Sequence, residues 1–159
     1  MNIAITRLPH AGDLPLPAYA TAGSAGMDIH AALDEPLTLQ PGEVQMIPTG
    51  LAFSVPSGYE CQVRSRSGLA AKHGVFALNS PGTIDSDYRG EVKVILANFS
   101  KAPYTIERGT RIAQLVVAKH EHVEWNVVES LEETTRGEGG FGSTGVQAGG
   151  RSQEAGGRS

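Results

Sequence analysis

The sequence predicts an all-β protein with one short helix. Short apolar runs alternate with Gly, Pro, Ser and Asp, and no long stretch shows the 3.6-residue periodicity of an amphipathic helix. The breaks at residues 40–43 and 55–58 combine Pro with Gly, which is typical of tight turns. Several short strands at this spacing are typical of a sandwich, a jelly roll or a barrel.

Apolar and β-branched residues place the individual strands. We expect strands at residues 2–7, 37–40, 44–48, 51–55, 59–64, 75–78, 91–98, 104–106 and 111–123. The helix is predicted from Ser67 to about His73, with Ser65 or Ser67 as its N-cap and Gly74 at its end.

Composition limits the classes of function. The 159 residues, of which 40% are hydrophobic, suit a single domain with one core. The net charge of −4, from 13 Lys and Arg against 17 Asp and Glu, gives no global positive field for a nucleic acid polymer. A small anion could still be bound locally.

Cysteine content and hydropathy suggest a location for the protein. Cys61 is the single cysteine, and its alternation with Tyr59 and Val63 predicts that the thiol lies on the buried face of a strand. We find neither a signal-type apolar run at the N-terminus nor a hydrophobic stretch of membrane-spanning length. We therefore expect a soluble, cytoplasmic protein without a membrane partner.

The segment from 82 to 90 is the most informative part of the chain. It places two carboxylates, including Asp85, together with the phenol of Tyr88 and the guanidinium of Arg89 between two glycines. Reactive side chains on a turn held by strands are typical of catalytic loops. An ordinary acidic hairpin turn is an equally good interpretation of this segment alone.

A second polar segment, at residues 63–71, runs from a strand into the helix. Arg66 could donate paired hydrogen bonds to phosphate oxygens, and Gly68 would let a ligand approach the helix N-terminus. This pattern indicates a phosphate cradle. The alternative is a capped surface helix with solvated arginines.

The glycine-rich segment 136–145 lies beyond the last predicted strand. Ordering so many glycines is entropically costly, so we expect a mobile lid that closes when a ligand supplies contacts. Arg136, Ser143 and Thr144 could meet phosphate, and Phe141 could stack on a base. The alternative is a disordered tail, which we expect for residues 146–159.

Two weaker candidates carry polar side chains close to or on strands. Asp28 could hold a hydrated divalent cation such as Mg²⁺, or it could stabilise a turn. Gln114 lies among aliphatic residues, so it is either a core hydrogen-bonding group or a polar group of a site.

Five segments in order, AGMDI, RSRSGLA, NSPGTIDSDYRGE, RGTRIAQL and RGEGGFGSTG, resemble the motifs of the homotrimeric deoxyuridine triphosphate nucleotidohydrolases, the dUTPases. The resemblance implies a jelly-roll-like β subunit, a β-clip barrel, in a trimer whose active sites lie at subunit interfaces. It implies Mg²⁺-assisted hydrolysis of dUTP to dUMP and pyrophosphate. That reaction limits uracil in DNA and supplies dUMP for dTMP synthesis. The implied organisation is a core at 1–135, an arm at 136–145 and a disordered tail at 146–159.

The resemblance also implies roles for residues of the core. Asp85 matches the general base that activates water for attack on the α-phosphorus, and Tyr88 matches the residue that excludes a ribose 2′-hydroxyl. Asp87 and Arg89 are expected to form the framework of the turn. The remaining matches are the uracil-reading hairpin of Asn79, Thr83 and Ile84 and the phosphate site of Arg66, Ser67 and Gly68.

Further roles are implied for the metal and the arm. Gln114 and Asp28 match positions that contact the metal through water, and Gln114 also matches a phosphate contact. Arg136 matches the γ-phosphate arginine and Phe141 the aromatic ring that closes over uracil. The remaining phosphate contacts of the arm are Gly142, Ser143 and Thr144.

Two other functions are compatible with parts of this pattern. The dCTP deaminases share the fold, the trimer and some phosphate motifs, but the Tyr88 turn and the arm favour the hydrolase. A nucleotide-sensing protein could keep the site as a switch, but the presence of Asp85, Arg136 and Phe141 favours turnover.

Overall fold

The computed structural model describes residues 1–140, in which strands predominate. The strands are β1 (Ala4–Arg7), β2 (Ala18–Tyr19), β3 (Met27–His30), β4 (Leu37–Leu39), β5 (Val44–Pro48), β6 (Leu51–Ser54), β7 (Tyr59–Arg64), β8 (Val75–Ala77), β9 (Gly82–Ile84), β10 (Lys93–Asn98), β11 (Tyr104–Ile106) and β12 (Arg111–Lys119). A 3-10 helix at Pro9–Ala11 and the helix α1 at Ser67–His73 complete the elements.

The strands pair antiparallel in four sheets. The largest has the order β2-β3-β12-β7-β9, and the others are β5-β10-β8, β1-β6 and β11-β4. Apolar side chains from all four sheets meet in one core. Its most buried members include Ile29, Leu39, Ile47, Leu96, Ile106, Ile112 and Leu115. This jelly-roll-like arrangement confirms the predicted all-β class.

Alternation along β7 builds one wall of the core. Cys61 and Val63 point inward and are almost fully buried, whereas Arg64 is exposed. Burial, with a smaller contribution from the charge of Glu60, raises the pKa of the Cys61 thiol to about 11, so the thiol stays protonated at neutral pH. The predicted core position of this cysteine is confirmed.

The predicted strands are found, with shorter ends. β5, β7 and β11 have the predicted bounds, whereas the last strand stops at Lys119 and β10 starts at Lys93. Three short strands, β2, β3 and β9, were not delimited by the sequence pattern. β2 has only two residues, whereas β3 and β9 lie beside or begin with glycine and carry polar residues. Tertiary pairing rather than their own β-propensity makes the three segments strands.

The helix has the predicted bounds but not the predicted cap. Arg66 occupies the N-cap position without a side-chain capping bond. The Ser65 hydroxyl instead accepts a hydrogen bond from the Ala77 amide at 3.0 Å, which ties the loop to β8. At the other end Gly74 has φ 62°, and its amide donates to the Ala70 carbonyl, as expected for a glycine that ends a helix.

The chain divides into two compact units, Met1–His122 and Val123–Ser159. The predicted boundary at residue 135 stays a prediction. In the second unit Gly137 donates to the Thr134 carbonyl at 3.0 Å, which forms a turn. The predicted contacts of Phe141, Gly142, Ser143 and Thr144, and the tail at 146–159, lie outside the described residues. No helix within residues 1–140 has the length and apolar character needed to cross a bilayer.

Candidate active site

The turn that carries Asp85 is held by β9 at the edge of the largest sheet. β9 pairs with β7 in a register that sets Ile84 opposite Cys61, so Asp85 follows directly after a buried residue. The Tyr88 amide donates to the Asp85 carbonyl at 3.2 Å and closes the turn. The sheet therefore fixes the backbone at Asp85 while the carboxylate stays exposed.

Arg89 braces this turn from within. Its guanidinium donates to the carbonyls of Ser86 at 2.7 Å and Tyr88 at 2.8 Å, which agrees with the predicted framework role. Asp87, the other predicted framework residue, makes no side-chain hydrogen bond within the part of the chain that is described. The backbone bonds and Arg89 therefore hold the turn.

A cavity of about 430 Å³ opens beside the turn. This volume is in the range of sites for small ligands. The sheets supply apolar walls from Met46, Val63 and Ile95, with Lys93 at the side. The cavity is lined by all five residues predicted for base reading, sugar discrimination and catalysis: Asn79, Thr83, Ile84, Asp85 and Tyr88.

Tyr88 presents its ring to this cavity in a fixed orientation. Its hydroxyl donates to the Glu91 carbonyl at 2.9 Å, and its ring lies against Gly90. A Cβ at Gly90 would be 2.5 Å from the Tyr88 hydroxyl, so only glycine leaves room for the ring in this position. Gly90, the glycine that ends the segment 82–90, is thus required by the tyrosine two residues before it.

Glu91 ends the quoted motif NSPGTIDSDYRGE, and no role was predicted for it. Its carboxylate accepts hydrogen bonds from His10 Nε2 at 2.7 Å and from the Gly50 amide at 2.9 Å. Burial acts to raise the pKa of Glu91, but these bonds and the nearby charges of His10 and Lys93 outweigh it, so the pKa lies below its ordinary value. Glu91 is therefore ionised at neutral pH and lines the same cavity.

The second part of the site is a cluster around Asp28. Strand pairing puts Gln114 of β12 opposite Asp28 of β3. Arg66 Nε donates to Asp28 Oδ1 at 3.0 Å and Arg111 Nη1 donates to Oδ2 at 3.1 Å. Gln114 Nε2 donates to Oδ1 at 3.2 Å. Three segments that are far apart in the sequence thus meet at one carboxylate.

The electrostatics of this cluster favour a positioning role for Asp28. Its side chain is 14% exposed, and burial acts to raise its pKa, but the Gln114 bond and the Arg66 and Arg111 guanidiniums lower it below the ordinary value. Both carboxylate oxygens are already hydrogen-bonded to protein donors. The observed arrangement therefore supports orientation of the arginines more than the predicted metal contact.

Two neighbours of the cluster were not identified from the sequence. A Cβ at Gly26 would be 3.3 Å from Gln114 Oε1, so this glycine lets Gln114 pack closely. His30, paired with Arg111 across the sheet, has a buried Nδ1 without a hydrogen-bond partner in the described structure. Burial, with the charges of Arg111 and Arg66, lowers the pKa of His30 despite nearby Asp28, so its ring is neutral at neutral pH.

The remaining predicted phosphate residues lie beyond these contacts. Ser67 and Gly68 are exposed at the start of α1, and a Cβ at Gly68 would meet nothing within 4 Å. Arg136 is exposed in the second unit, where its Nε donates to the Gly139 carbonyl at 2.8 Å.

Within the first unit Asp85 lies past one end of β9 and the Asp28 cluster lies toward the other, although Gly82 and Val63, next to the row of the cluster, also line the cavity. Asp85 follows Ile84, which pairs with Cys61, whereas Gln114 of the cluster pairs with Arg64. The rows of Cys61 and Arg64 are three residue steps apart on β7, about 10 Å along the strand. Lys93 supplies the cationic side chain of the cavity lining, and the arginines of the cluster are not part of it.

Comparison with known proteins identifies the family. The dUTPase family model matches residues 13–145. The deoxyuridine 5′-triphosphate nucleotidohydrolase of Rickettsia bellii (strain OSU 85-389) is 60% identical over 131 residues, which cover 82% of this chain and 87% of the relative. Its counterpart in Wolbachia pipientis subsp. Culex pipiens (strain wPip) is 56% identical over 147 residues, which cover 91% and 96%.

Solved structures agree in fold. A variant of the Staphylococcus bacteriophage 80alpha dUTPase with dUpNHpp superposes with a TM-score of 0.82 at 29% identity, covering 91% of this chain and 99% of that one. A dUTPase variant from phage phi11 of S. aureus, described with a structural Mg(II) ion, gives 0.74 at 26% identity, covering 84% and 100%. From the ordered motifs, the jelly-roll-like fold and these similarities together, we conclude that the chain belongs to the dUTPase family.

Proposed function

We propose that this protein hydrolyses dUTP to dUMP and pyrophosphate at a site that Asp85 and Tyr88 line. The observation that carries the proposal is that all five residues predicted for base, sugar and catalysis line one cavity of nucleoside size. Membership of the dUTPase family supplies the reaction.

Asp85 is the proposed general base. Its carboxylate is exposed at the cavity, and within residues 1–140 no protein donor is hydrogen-bonded to it. A carboxylate in that state can accept the proton of a water molecule as that water attacks the α-phosphorus. The bond from that phosphorus to the bridging oxygen then breaks, and pyrophosphate leaves.

Substrate selectivity is assigned to the walls of the cavity. Tyr88, held against Gly90, would pack against C2′ of the sugar and leave no space for a hydroxyl. Asn79, Thr83 and Ile84 would read uracil, and the narrow hairpin would reject the methyl group of thymine. Both forms of selectivity depend on sterically rigid walls rather than on charge.

The triphosphate requires more cationic groups than the cavity of a single chain supplies, since its described lining holds Lys93 but no arginine. We assign the phosphates to Arg66, Ser67, Gly68 and Gln114 at the Asp28 cluster of a neighbouring subunit. Two observations support a homotrimer with shared sites. The first is that the cluster is separated from Asp85 along β7 and its arginines do not line the cavity. The second is the set of exposed apolar side chains, Met46, Phe99, Trp125, Val127 and Leu131.

The arm completes the site in this proposal. Arg136 would bind the γ-phosphate, Phe141 would cover uracil, and Gly142, Ser143 and Thr144 would contact phosphate oxygens. The sequence order of these residues in the family motif supports the assignment. Closure would exclude bulk water and strengthen the electrostatic interactions around the reacting phosphorus.

Magnesium enters this proposal as an ion carried by the triphosphate. No three His, Cys, Asp or Glu side chains converge as a metal cage in the described range 1–140, so these residues do not fit an all-protein Mg²⁺ site. Mg²⁺ is commonly bound through substrate phosphates together with few protein groups. Contact of Asp28 and Gln114 with water on the ion stays a prediction.

The direct test is pyrophosphate release from dUTP, dCTP, UTP and dTTP. We expect turnover of dUTP alone, its loss in EDTA and its recovery with added Mg²⁺. Asp85→Asn should lower kcat by at least about 10³-fold while dUpNHpp still binds, because the change removes the base but keeps its shape. Ammonia release from dCTP would refute the assignment of this protein as a dUTP hydrolase. Nucleotide binding by the unmodified protein without turnover would favour a sensor.

A further inference from the structure

A histidine outside all five motifs contacts Glu91, which follows the turn that carries Asp85 and Tyr88. His10 lies in the 3-10 helix Pro9–Ala11, and its Nε2 is 2.7 Å from Glu91 Oε1, a contact between residues 81 positions apart. A carboxylate can only accept, so the histidine nitrogen donates this bond. The side chain of Glu91 is 14% exposed and also accepts the Gly50 amide, which leaves it little freedom to rotate.

The same glutamate orients Tyr88 through its backbone. The Glu91 carbonyl accepts the Tyr88 hydroxyl at 2.9 Å, and the tyrosine is 43% exposed. Packing on one face alone does not fix a ring that is so exposed, and the hydroxyl bond supplies the remaining restraint. A displacement of Glu91 would therefore move or release the ring.

The 3-10 helix is itself firmly docked. Arg108 donates to the carbonyls of His10 at 3.0 Å and Ala11 at 2.8 Å. Ala11 is fully buried against Gly50, where a Cβ would come within 2.6 Å of the alanine. The backbone that carries His10 is therefore held in place. A continuous chain of hydrogen bonds connects Arg108, His10, Glu91 and Tyr88.

We propose that His10 and Glu91 are positioning residues that hold Tyr88 against the sugar and thereby set the preference for a deoxyribonucleotide over a ribonucleotide triphosphate. The inference rests on the sugar-discriminating role proposed for Tyr88. His10 does not itself line the cavity, and its side chain reaches the lining through the bond to Glu91, so its effect passes through that residue.

The test is the ratio of kcat/KM for dUTP to that for UTP, with UTP hydrolysis measured at high enzyme concentration. His10→Ala and Tyr88→Phe should each lower the ratio by about fivefold or more, and the double variant should show no further fall, because both remove one chain of contacts. His10→Gln, which keeps a donor, should recover part of the ratio. His73→Ala, which removes an exposed histidine elsewhere, should leave the ratio unchanged.

Independent effects in the double variant, or an unchanged ratio in a folded His10→Ala protein, would overturn the positioning role. Tyr88→Ala separates this failure from failure of the sugar role. If Tyr88→Ala also leaves the ratio unchanged, the sugar role of Tyr88 is wrong and the proposal fails with it. If Tyr88→Ala lowers the ratio and His10→Ala does not, only the positioning role is wrong.

Discussion

Asp28 illustrates how a single carboxylate can organise a site without reacting. Its two oxygens fix the guanidiniums of Arg66 and Arg111 and the amide of Gln114. Flexible arginines lose less entropy on binding phosphate when they are already oriented. In the proposed function Asp28 therefore prepares the phosphate site, and this role should be visible in stability as well as in dUTP binding.

Replacement of Asp28 by Asn should reduce both stability and affinity for dUTP. The change leaves two guanidiniums without their carboxylate partner, and we expect a loss of about 1–2 kcal/mol, less than for a fully buried pair. Urea unfolding at neutral pH measures it, and the KM for dUTP should rise. Asp34→Asn, at an exposed aspartate, is the matched control. Equal stability of the two variants would contradict the account.

The pH dependence of stability has a defined sign. Folding lowers the pKa of Asp28 from 3.8 and that of Glu91 from 4.5, so both contribute stability above those values and lose it as pH falls through the folded-state values. Urea unfolding should therefore show a decline that begins near pH 4.5 and continues below it. In Asp28→Asn the decline should be shallower, and an unchanged slope would argue against the Asp28 contribution.

Residues whose neighbours in the sequence form the candidate site could be predicted from the sequence. Residues that depend on contacts with distant segments could not. Asp85 and Tyr88 stand out because the turn itself collects their groups between glycines. The bond from Arg66 to Asp28 joins residues 38 positions apart, and that from His10 to Glu91 joins residues 81 apart. No periodicity or turn pattern encodes such contacts, which follow only from sheet order.

Among the elements, strands with apolar alternation were predictable and short polar strands were not. β7 alternates over six residues and was found at its full length, because the period-2 pattern marks its buried face. β3 carries Asp28 and His30, so its sequence resembles a turn until β12 pairs with it. The prediction of Ser65 or Ser67 as the helix N-cap was wrong for a related reason, since the Ser65 hydroxyl accepts a hydrogen bond from β8 instead of from the helix.

Two glycines of one helix should behave in opposite ways. Gly74→Ala should destabilise by about 1–2 kcal/mol, because its φ of 62° disfavours a side chain and the Cβ would lie 3.1 Å from the Ser100 amide nitrogen. Gly68→Ala should raise stability slightly, since its Cβ meets nothing, yet raise the KM for dUTP by crowding the phosphate approach. Thermal unfolding and steady-state kinetics measure the two effects. An unchanged KM in Gly68→Ala would argue against the cradle.

The arm is the element whose removal should separate catalysis from folding. Deletion of residues 137–159 should lower kcat/KM for dUTP by about 10²-fold or more, because the lid is lost. The midpoint of thermal unfolding should change little. Deletion of residues 146–159 alone is the control and should leave activity unchanged. An unfolded product of the longer deletion would refute the interpretation of this segment as a lid.

At the scale of the whole molecule, one chain contains both parts of the proposed site, but the arginines of the cluster do not line its cavity. The cavity has the proposed base, the ring proposed to face the sugar and the hairpin proposed to read uracil, whereas Arg66 and Arg111 are gathered at Asp28. A trimer would bring the cavity of one chain to the cluster of the next. In solution it should have about three times the subunit mass of 16.7 kDa.

The central claim, that dUTP is hydrolysed between the Asp85 cavity of one chain and the Arg66 cluster of another, is tested most directly by mixing two inactive variants. Asp85→Asn and Arg66→Ala chains are refolded together, and pyrophosphate release from dUTP is compared with each variant alone. Random assembly of equal amounts should give about a quarter of the unmodified activity, because that fraction of interfaces joins two intact halves. A mixture of proven hybrid trimers that stays as inactive as its components would place both residues in one chain's site and contradict the account.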